Sequence, residues 1–325
     1  MSMRKAVTAA VATSLLLALG ACTNDSDSGA APTDSAAVAA DPGKAAGDFA
    51  KVTASTNVDA KRYLYPTTTG DRDDDQNWAD LFLPPGAHDA GEIPLVVLIH
   101  GGAWKSEIGA DVFVTFARRL AERGLAVYNV EYRRVGAGGG WPTTFADVAA
   151  ALDFIPNVKK AVPSLNIDDV VVAGHSAGGQ LSMWAGTRHK LKNDDVGSKP
   201  KFQPKRVISL SGPIDMRTAV RMGDKNIVEA LSGTPDEVPE RYAEVDPIQN
   251  IDPSIPVIAM NGDKDHIVPA VLSQNYVREA KAKGAKADMV LMRGINHVQI
   301  VDPGNPQFVT VLETISRSAH DAAQD

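Results

Sequence analysis

The stretch VVAGHSAGGQ, from Val171 to Gln180, runs from β-branched residues into a glycine, a histidine, a serine and two more glycines. Its spacing is G-x-S-x-G, with Gly174 and Gly178 flanking Ser176. A strand that turns sharply into a helix at such a point lifts the serine hydroxyl to the top of a sheet, because glycines allow backbone segments to pass where a side chain would collide. At an ordinary strand-to-helix turn the same serine does no more than cap the helix. A hydroxyl is a poor nucleophile near neutral pH, so the first reading requires a base, an acid to orient the base, and prepositioned N–H donors for the oxyanion.

Each of these has a candidate. His297, in RGINHVQI, follows the last strand-like run across a glycine and asparagine turn, from which its ring can swing back over the sheet. Among the other histidines, His266 sits beside the candidate acids, His189 rides a helix and His320 lies in a frayed tail. AMNGDKDHIVP follows a strand-like run and offers both Asp263 and Asp265 as acceptors for an imidazole proton. In LIHGGAW a buried strand ends at Ile99, and the loop after it can aim the N–H groups of Gly101, Gly102 and Ala103 at one point. The residue after the serine, Ala177, supplies one more donor. The chain order serine, acid, histidine is the order this kind of elbow uses.

Taken together these pieces resemble the α/β-hydrolase superfamily and, within it, the feruloyl esterase-like and kynurenine formamidase-like esterases. The pattern of glycine, two residues, aspartate, two residues, valine and proline matches Gly262, Asp265, Val268 and Pro269. The resemblance thus implies that Asp265 is the acid and that Asp263 serves the turn. HGGAW is similar to the H-G-G-x-W loop of those esterases and departs from the H-G-G-G form at Ala103, and His100 is then expected to brace the loop. The family's tyrosine and arginine after the second parallel strand imply a structural network of Tyr132, Arg133 and Asp147. By its own spacing Asp147 supports a helix N-terminus. The implied activity is carboxylic ester hydrolysis through an acyl-enzyme, with a small-molecule ester as partner and no cofactor. An arylformamidase or peptidase-like amidase uses the same machinery, and a catalytically silent binding protein is the remaining alternative.

The elements that must position these groups follow from periodicity. LVVLIH, LAVYNVEY, VVVAG, RVISLSG, PVIAMNG and ADMVLMRG are continuous apolar runs, as strands covered on both faces require. Helical-period segments lie between them, at about Val112 to Arg123, Phe145 to Ile155, Gly178 to His189, Ala270 to Lys283 and Pro306 to Ser318, with Gly124 and Gly284 at C-caps. Alternation of this kind predicts an α/β fold: a mostly parallel, doubly wound sheet with helices on both faces. Ligands then collect at the carboxyl ends of the strands. Lys61 to Tyr65 and Ala79 to Leu83 read as an entry hairpin with one wet face. The acidic DRDDDQN between them reads as a solvated turn. Residues 213–255, broken by proline, glycine and charge, are expected to form a small cap insertion. Trp104, Tyr132, Trp141 and Met183 are candidate pocket residues, and GAGGGWP a mobile loop near the pocket mouth.

The catalytic domain is expected over residues 56–325. Ahead of it, Arg4 and Lys5 precede an apolar stretch, and LGAC at 19–22 resembles a bacterial lipobox, so residues 1–22 read as a lipoprotein signal peptide with lipidation at Cys22. Residues 23–55, rich in Ala, Ser, Asp, Gly and Pro, read as a flexible linker. Membrane association is thus expected through the N-terminal lipid anchor alone, in an exported protein; an ordinary cleaved signal with an incidental Cys22 would leave it secreted. With 33 basic and 40 acidic residues and a net charge of -7, the chain has no cationic excess with which to neutralise a phosphate backbone, which argues against nucleic acid as partner. No paired cysteines or H-E-x-x-H motif offer zinc ligands, so no metal is expected.

Overall fold

A computed structural model describes residues 58–322 except 106 and 193. The expected signal peptide, Cys22 and linker lie outside the described residues. Eight strands form one sheet: β1 (Asp59–Leu64), β2 (Trp78–Leu83), β3 (Ile93–Ile99), β4 (Ala126–Val130), β5 (Leu165–His175), β6 (Arg206–Leu210), β7 (Val257–Gly262) and β8 (Ala287–Met292). Their order is β1-β2-β4-β3-β5-β6-β7-β8. β1 and β2 pair antiparallel, β2 joins β4 antiparallel, and every pairing from β4 to β8 is parallel. This is the α/β-hydrolase fold.

The continuous apolar runs are explained by two separate cores. In β3, Leu95, Val97 and Ile99 point into one core while Val96 and Leu98 point into the other, and β5 divides Val170 and Val172 from Val171 and Ala173 in the same way. The second core is closed by α1 (Val114–Ala121) and the C-terminal helix (Phe308–Ala322), through Phe116, Leu120, Val311 and Ile315. The first is closed by the other helices, which contribute Phe145, Leu152, Trp184, Tyr242 and Leu272. With both faces covered, a strand gains nothing from alternating polarity.

The entry hairpin forms, but its faces differ from expectation. β2 is buried on both faces because Ala79 and Leu81 enter the first core and Phe82 the second, whereas β1, at the sheet edge, is exposed or half-exposed along its whole length. Arg62 shields the edge: its guanidinium lies 3.4 Å from the centroid of the Trp78 ring and grips the buried Asp80.

The helix expected at 145–155 is α2 (Thr143–Asp153), and a second helix follows, α3 (Ile155–Ala161). Pro156, at the start of α3, lacks the N–H that a continuous helix needs at that point. α4 (Ala177–Ala185) starts directly after Ser176. Residues 213–255 fold as three short helices, α5 (Met216–Arg221), α6 (Lys225–Leu231) and α7 (Pro239–Val245). At six or seven residues each, none completes two turns, so no helical period emerges from the sequence. Asp215 and Asp224 cap the first two by accepting from backbone N–H groups. α8 (Val271–Ala282) and α9 (Phe308–Ala322) complete the chain, and His320 sits exposed in the last turn of α9 rather than in a frayed tail. Gly124 and Gly284 follow α1 and α8 with φ of +85° and +82°, as expected of helix-terminating glycines. No helix among the described residues is long and apolar enough to cross a membrane.

Asp147 belongs to the network implied by the resemblance. Its Oδ2 accepts from Arg133 N and Nε, and its Oδ1 accepts from Arg133 Nη2 and Thr67 Oγ1. The pair fastens the loop after β4 to α2 and to the turn after β1. GAGGGWP is likewise tied down, through Gly139 N to Arg134 O and Gly140 N to Thr144 Oγ1. Asp147→Ala leaves the buried guanidinium without its carboxylate, a change expected to cost about 3–5 kcal/mol in denaturant unfolding. A loss of only ~1 kcal/mol, the scale of an exposed pair, contradicts this account of the network.

Candidate active site

Ser176 stands between β5 and α4 with φ 55° and ψ −121°, a conformation that non-glycine residues rarely adopt. Its neighbours enforce it. A Cβ on Gly174 would lie 2.2 Å from the carbonyl oxygen of Gly178, and one on Gly178 would lie 2.0 Å and 2.4 Å from the oxygens of Ile99 and His100. A Cβ on Gly179 would lie 2.9 Å from Gly212 Cα. Helix α4 can therefore start hard against the ends of β3 and β6 only because these three positions lack side chains.

The partners expected from the sequence meet at this serine. Ser176 Oγ lies 2.9 Å from His297 Nε2, and His297 Nδ1 lies 2.8 Å from Asp265 Oδ2. An ionised carboxylate only accepts, so Nδ1 carries the imidazole proton and Nε2 is left to accept the serine hydrogen. Asp265 Oδ1 accepts from the N–H groups of Ile267 and Val268, with the Ser211 hydroxyl close to this carboxylate. Burial by itself raises the Asp265 carboxyl, but the His297 hydrogen bond and charge, the Val268 N–H and Ser211 hold it below the usual carboxylate range. Ser176 and His297 retain 8% and 7% exposure, so the reacting atoms are reachable without being bathed in water. Asp263 is exposed and accepts from Gly294 N, tying the acid loop to the histidine loop. His266 is exposed, and His189 sits on a 3₁₀ turn paired with Asp252.

The loop after β3 abuts the serine. A Cβ on Gly101 would stand 2.8 Å from His175 O and 3.0 Å from Ser176 Cβ, and Gly102, Ala103 and Trp104 all have positive φ. Among the described residues, no hydrogen bond uses the N–H of Gly102, Ala103 or Ala177. The Ala177 N–H, in the first turn of α4, has no intrahelical acceptor to reach. His100 braces the loop from within: its Nδ1 lies 2.7 Å from Gly101 O and its Nε2 3.0 Å from Glu131 Oε1. Burial alone raises the Glu131 carboxyl, but His100, Arg134 and the Ala110 N–H hold it low.

Three of the four expected pocket residues are buried. Tyr132 is fully buried, stacks on His100 at 4.3 Å and donates its hydroxyl to His100 O, which makes it a brace of the same loop. Trp104 and Met183 are each 2% exposed within the first core. Trp141 borders a groove of about 800 Å³ with Asp153, Arg188, Val196 and Glu244, and neither Ser176 nor His297 lines it. Inference from sequence missed Ser211, Glu131 and His175, which contact the expected residues directly. The available signal was a polar residue at the point where an apolar strand ends.

Residues 79–279, more than half of the chain, match the family model described as BD-FAE. The chain belongs to the BD-FAE family. It is 27% identical over 243 residues to the probable isoprenylcysteine alpha-carbonyl methylesterase ICME of Oryza sativa subsp. japonica, covering 70% of this chain and 56% of that protein. It is 26% identical over 206 residues to esterase LipC of Mycobacterium tuberculosis, covering 58% and 48%. This BD-FAE chain thus spans about half the length of these relatives. Among solved structures, a truncated carbohydrate esterase from gut microbiota superposes with a TM-score of 0.68 at 20% identity, over 82% of this chain and 97% of that one. A Bacteroides eggerthii bifunctional GH43-CE protein gives 0.65 at 24% identity, over 79% and 38%. Propionate-bound Est2 of Thermogutta terrifontis gives 0.64 at 20%, over 81% and 94%. At these identities the likeness is one of fold.

Two outcomes test the geometry. Gly178→Ala, whose methyl would meet backbone rather than a movable side chain, is expected to destabilise the fold by about 3 kcal/mol or more. Gly284→Ala, with positive φ but nothing within 4 Å, serves as the control and costs ~1–2 kcal/mol. Equal losses at the two sites contradict the packing account. The second outcome concerns pH. Because the folded state lowers the Asp265 carboxyl, the stability it contributes is present above the unfolded value of about 3.9 and is lost as pH falls below that through the folded value. Asp265→Asn is therefore expected to flatten the decline in Tm across that acid range, and an unchanged slope counts against it.

Proposed function

We propose that this protein hydrolyses carboxylic esters by acyl transfer, with Ser176 as nucleophile, His297 as general base and acid, and Asp265 as the orienting carboxylate. The observation that carries the reading is the unbroken hydrogen-bonded chain from Ser176 Oγ through His297 to Asp265, hung on a serine in left-handed conformation. His297 Nε2 takes the hydroxyl proton as Oγ bonds to the ester carbonyl carbon. The resulting oxyanion is held by N–H groups of the Gly101, Gly102 and Ala103 loop and of Ala177. Collapse breaks the bond to the alcohol oxygen, which leaves with the proton from His297. Water, deprotonated by the same nitrogen, then attacks the acyl carbon, and the acid departs as Ser176 regains its hydrogen.

The named relatives and structural neighbours support an ester as the bond cleaved. They differ in what that bond joins, so the proposal is made at the level of a small-molecule carboxylic ester. Residues 213–255 act in this reading as a cap beside the site, supported by the hydrogen bond from Gln180 on α4 to Val245 O and by the Lys105–Glu229 ion pair between the segment and the loop after β3. Export and lipidation at Cys22 complete the proposal and rest on the sequence pattern alone. Loss of palmitate incorporation in Cys22→Ala is the matching test.

Ser176→Ala is expected to lower kcat on short p-nitrophenyl esters by on the order of 10⁴-fold or more while the fold is retained. A folded Ser176→Ala protein with parental turnover overturns the reading. Parental protein that leaves these esters intact but cleaves N-formylkynurenine or aminoacyl amides replaces the ester by an amide as the bond attacked.

A further inference from the structure

Resting on that reading of Ser176 and His297, we infer that His175 is a positioning residue for the pair: by donating its Nε2–H to the carbonyl oxygen of His297, it fixes where the base stands relative to the serine. The contact is 2.9 Å long and buried. His175 immediately precedes Ser176 in the chain, so nucleophile and clamp ride on the same elbow, and any shift of that elbow moves both.

The surroundings leave the His175 ring little freedom. Its centroid lies 4.7 Å from that of His297, at an interplanar angle of 43°, with Phe113 at 6.5 Å. Its Nδ1 would lie 3.0 Å from a Cβ on Gly101, so the ring is wedged between the proposed oxyanion loop and the proposed base. Of the other ties of the histidine loop, those from Gly294 N to Asp263 and from Asn296 N to Gln299 are exposed, and Lys264 N donates to Ile295 O, two residues before the base. The clamp from His175 is buried and acts on residue 297 itself. Without it, the His297 carbonyl would be left in a buried place with no hydrogen-bond donor among the described residues.

The residue type matters as well. A base that takes the serine proton becomes an imidazolium, and a second cation beside it would repel that charge. Burial and the neighbouring His297 push His175 down to about 3, so it stays neutral throughout the working range. A neutral imidazole carries one N–H, and the His297 carbonyl claims it at Nε2. Lysine or arginine at this position could donate the same hydrogen bond only by bringing a charge.

The test uses the full chain with a short p-nitrophenyl ester, comparing His175→Phe, which keeps a ring and removes the donor, with His175→Gln, which returns an N–H near the place of Nε2. His175→Phe is expected to lower kcat by about 10- to 100-fold with KM changed by no more than about twofold. His175→Gln is expected to stay within about fivefold of the parent. A purely packing role predicts instead that the loss follows the folded fraction and that glutamine brings no recovery. Parental turnover in His175→Phe, or a glutamine variant as slow as the phenylalanine one, overturns the inference. Should His175→Phe not fold, His175→Gln decides alone: turnover within about fivefold of the parent supports the clamp and a larger loss overturns it. Ser176→Ala run alongside separates the two levels. If it retains turnover, the reading of the site has failed; if it is silent while His175→Phe matches the parent, only the clamp has.

Discussion

The site depends on how closely α4 can approach the ends of β3 and β6. Neighbouring parallel strands end side by side, and Ile99 of β3 is paired with Gly174 of β5. The segments leaving them, HGGAW and HSAGG, must therefore share one small volume. They fit because Gly178 presents no side chain to the carbonyls of Ile99 and His100 and Gly179 presents none to Gly212. The backbone crowding turns Ser176 into its left-handed conformation, and the cost of order 1–3 kcal/mol that such a conformation carries is sustained by the contacts around it.

A second convergence sits on the other side of the serine. β7 and β8 are adjacent, so the loops that carry Asp265 and His297 leave the sheet together. Gly262 lets them touch, since a Cβ there would lie 1.9 Å from the carbonyl oxygen of Ile295. Behind the acid lies a polar relay in which Ser273 donates to Asn261, and Asn261 donates to Val268 O and Ser211. These buried groups satisfy one another and leave the carboxylate accepting from two backbone N–H groups and from His297 Nδ1, which suits an orienting anion more than a proton carrier. Glu131, His100 and Tyr132 do the equivalent work for the loop after β3.

Much of this was legible in the sequence. The six apolar runs gave the parallel strands because both sheet faces are covered, and G-x-S-x-G and HGGAW stood out because they follow such runs directly. Asp265 and His297 could be named from strand ends and chain order, with the resemblance choosing between Asp263 and Asp265. What stayed hidden lacks local periodicity. The helices of residues 213–255 are too short to show one, and so is the seven-residue helix Ile155–Ala161 that follows the expected end at Ile155. Tyr132 read as a pocket residue because aromatics near a site are ambiguous until packing is known, and its stacking partner lies 32 residues away. His175 and Ser211 act through partners distant in sequence, so no spacing rule points to them.

The central claim is that an oxygen on Ser176 can bond to an acyl carbon while the main-chain hydrogens of two separate segments hold the charge that develops. A crystal structure of the protein inactivated by a short-chain alkyl phosphonate tests this directly. The account predicts phosphorus bonded to Ser176 Oγ, with one phosphonyl oxygen within hydrogen-bond distance of the Ala177 N–H and of an N–H from the loop at Gly101, Gly102 and Ala103. Phosphorus on another residue, or bonded to Ser176 with that oxygen turned away from both segments, would contradict it.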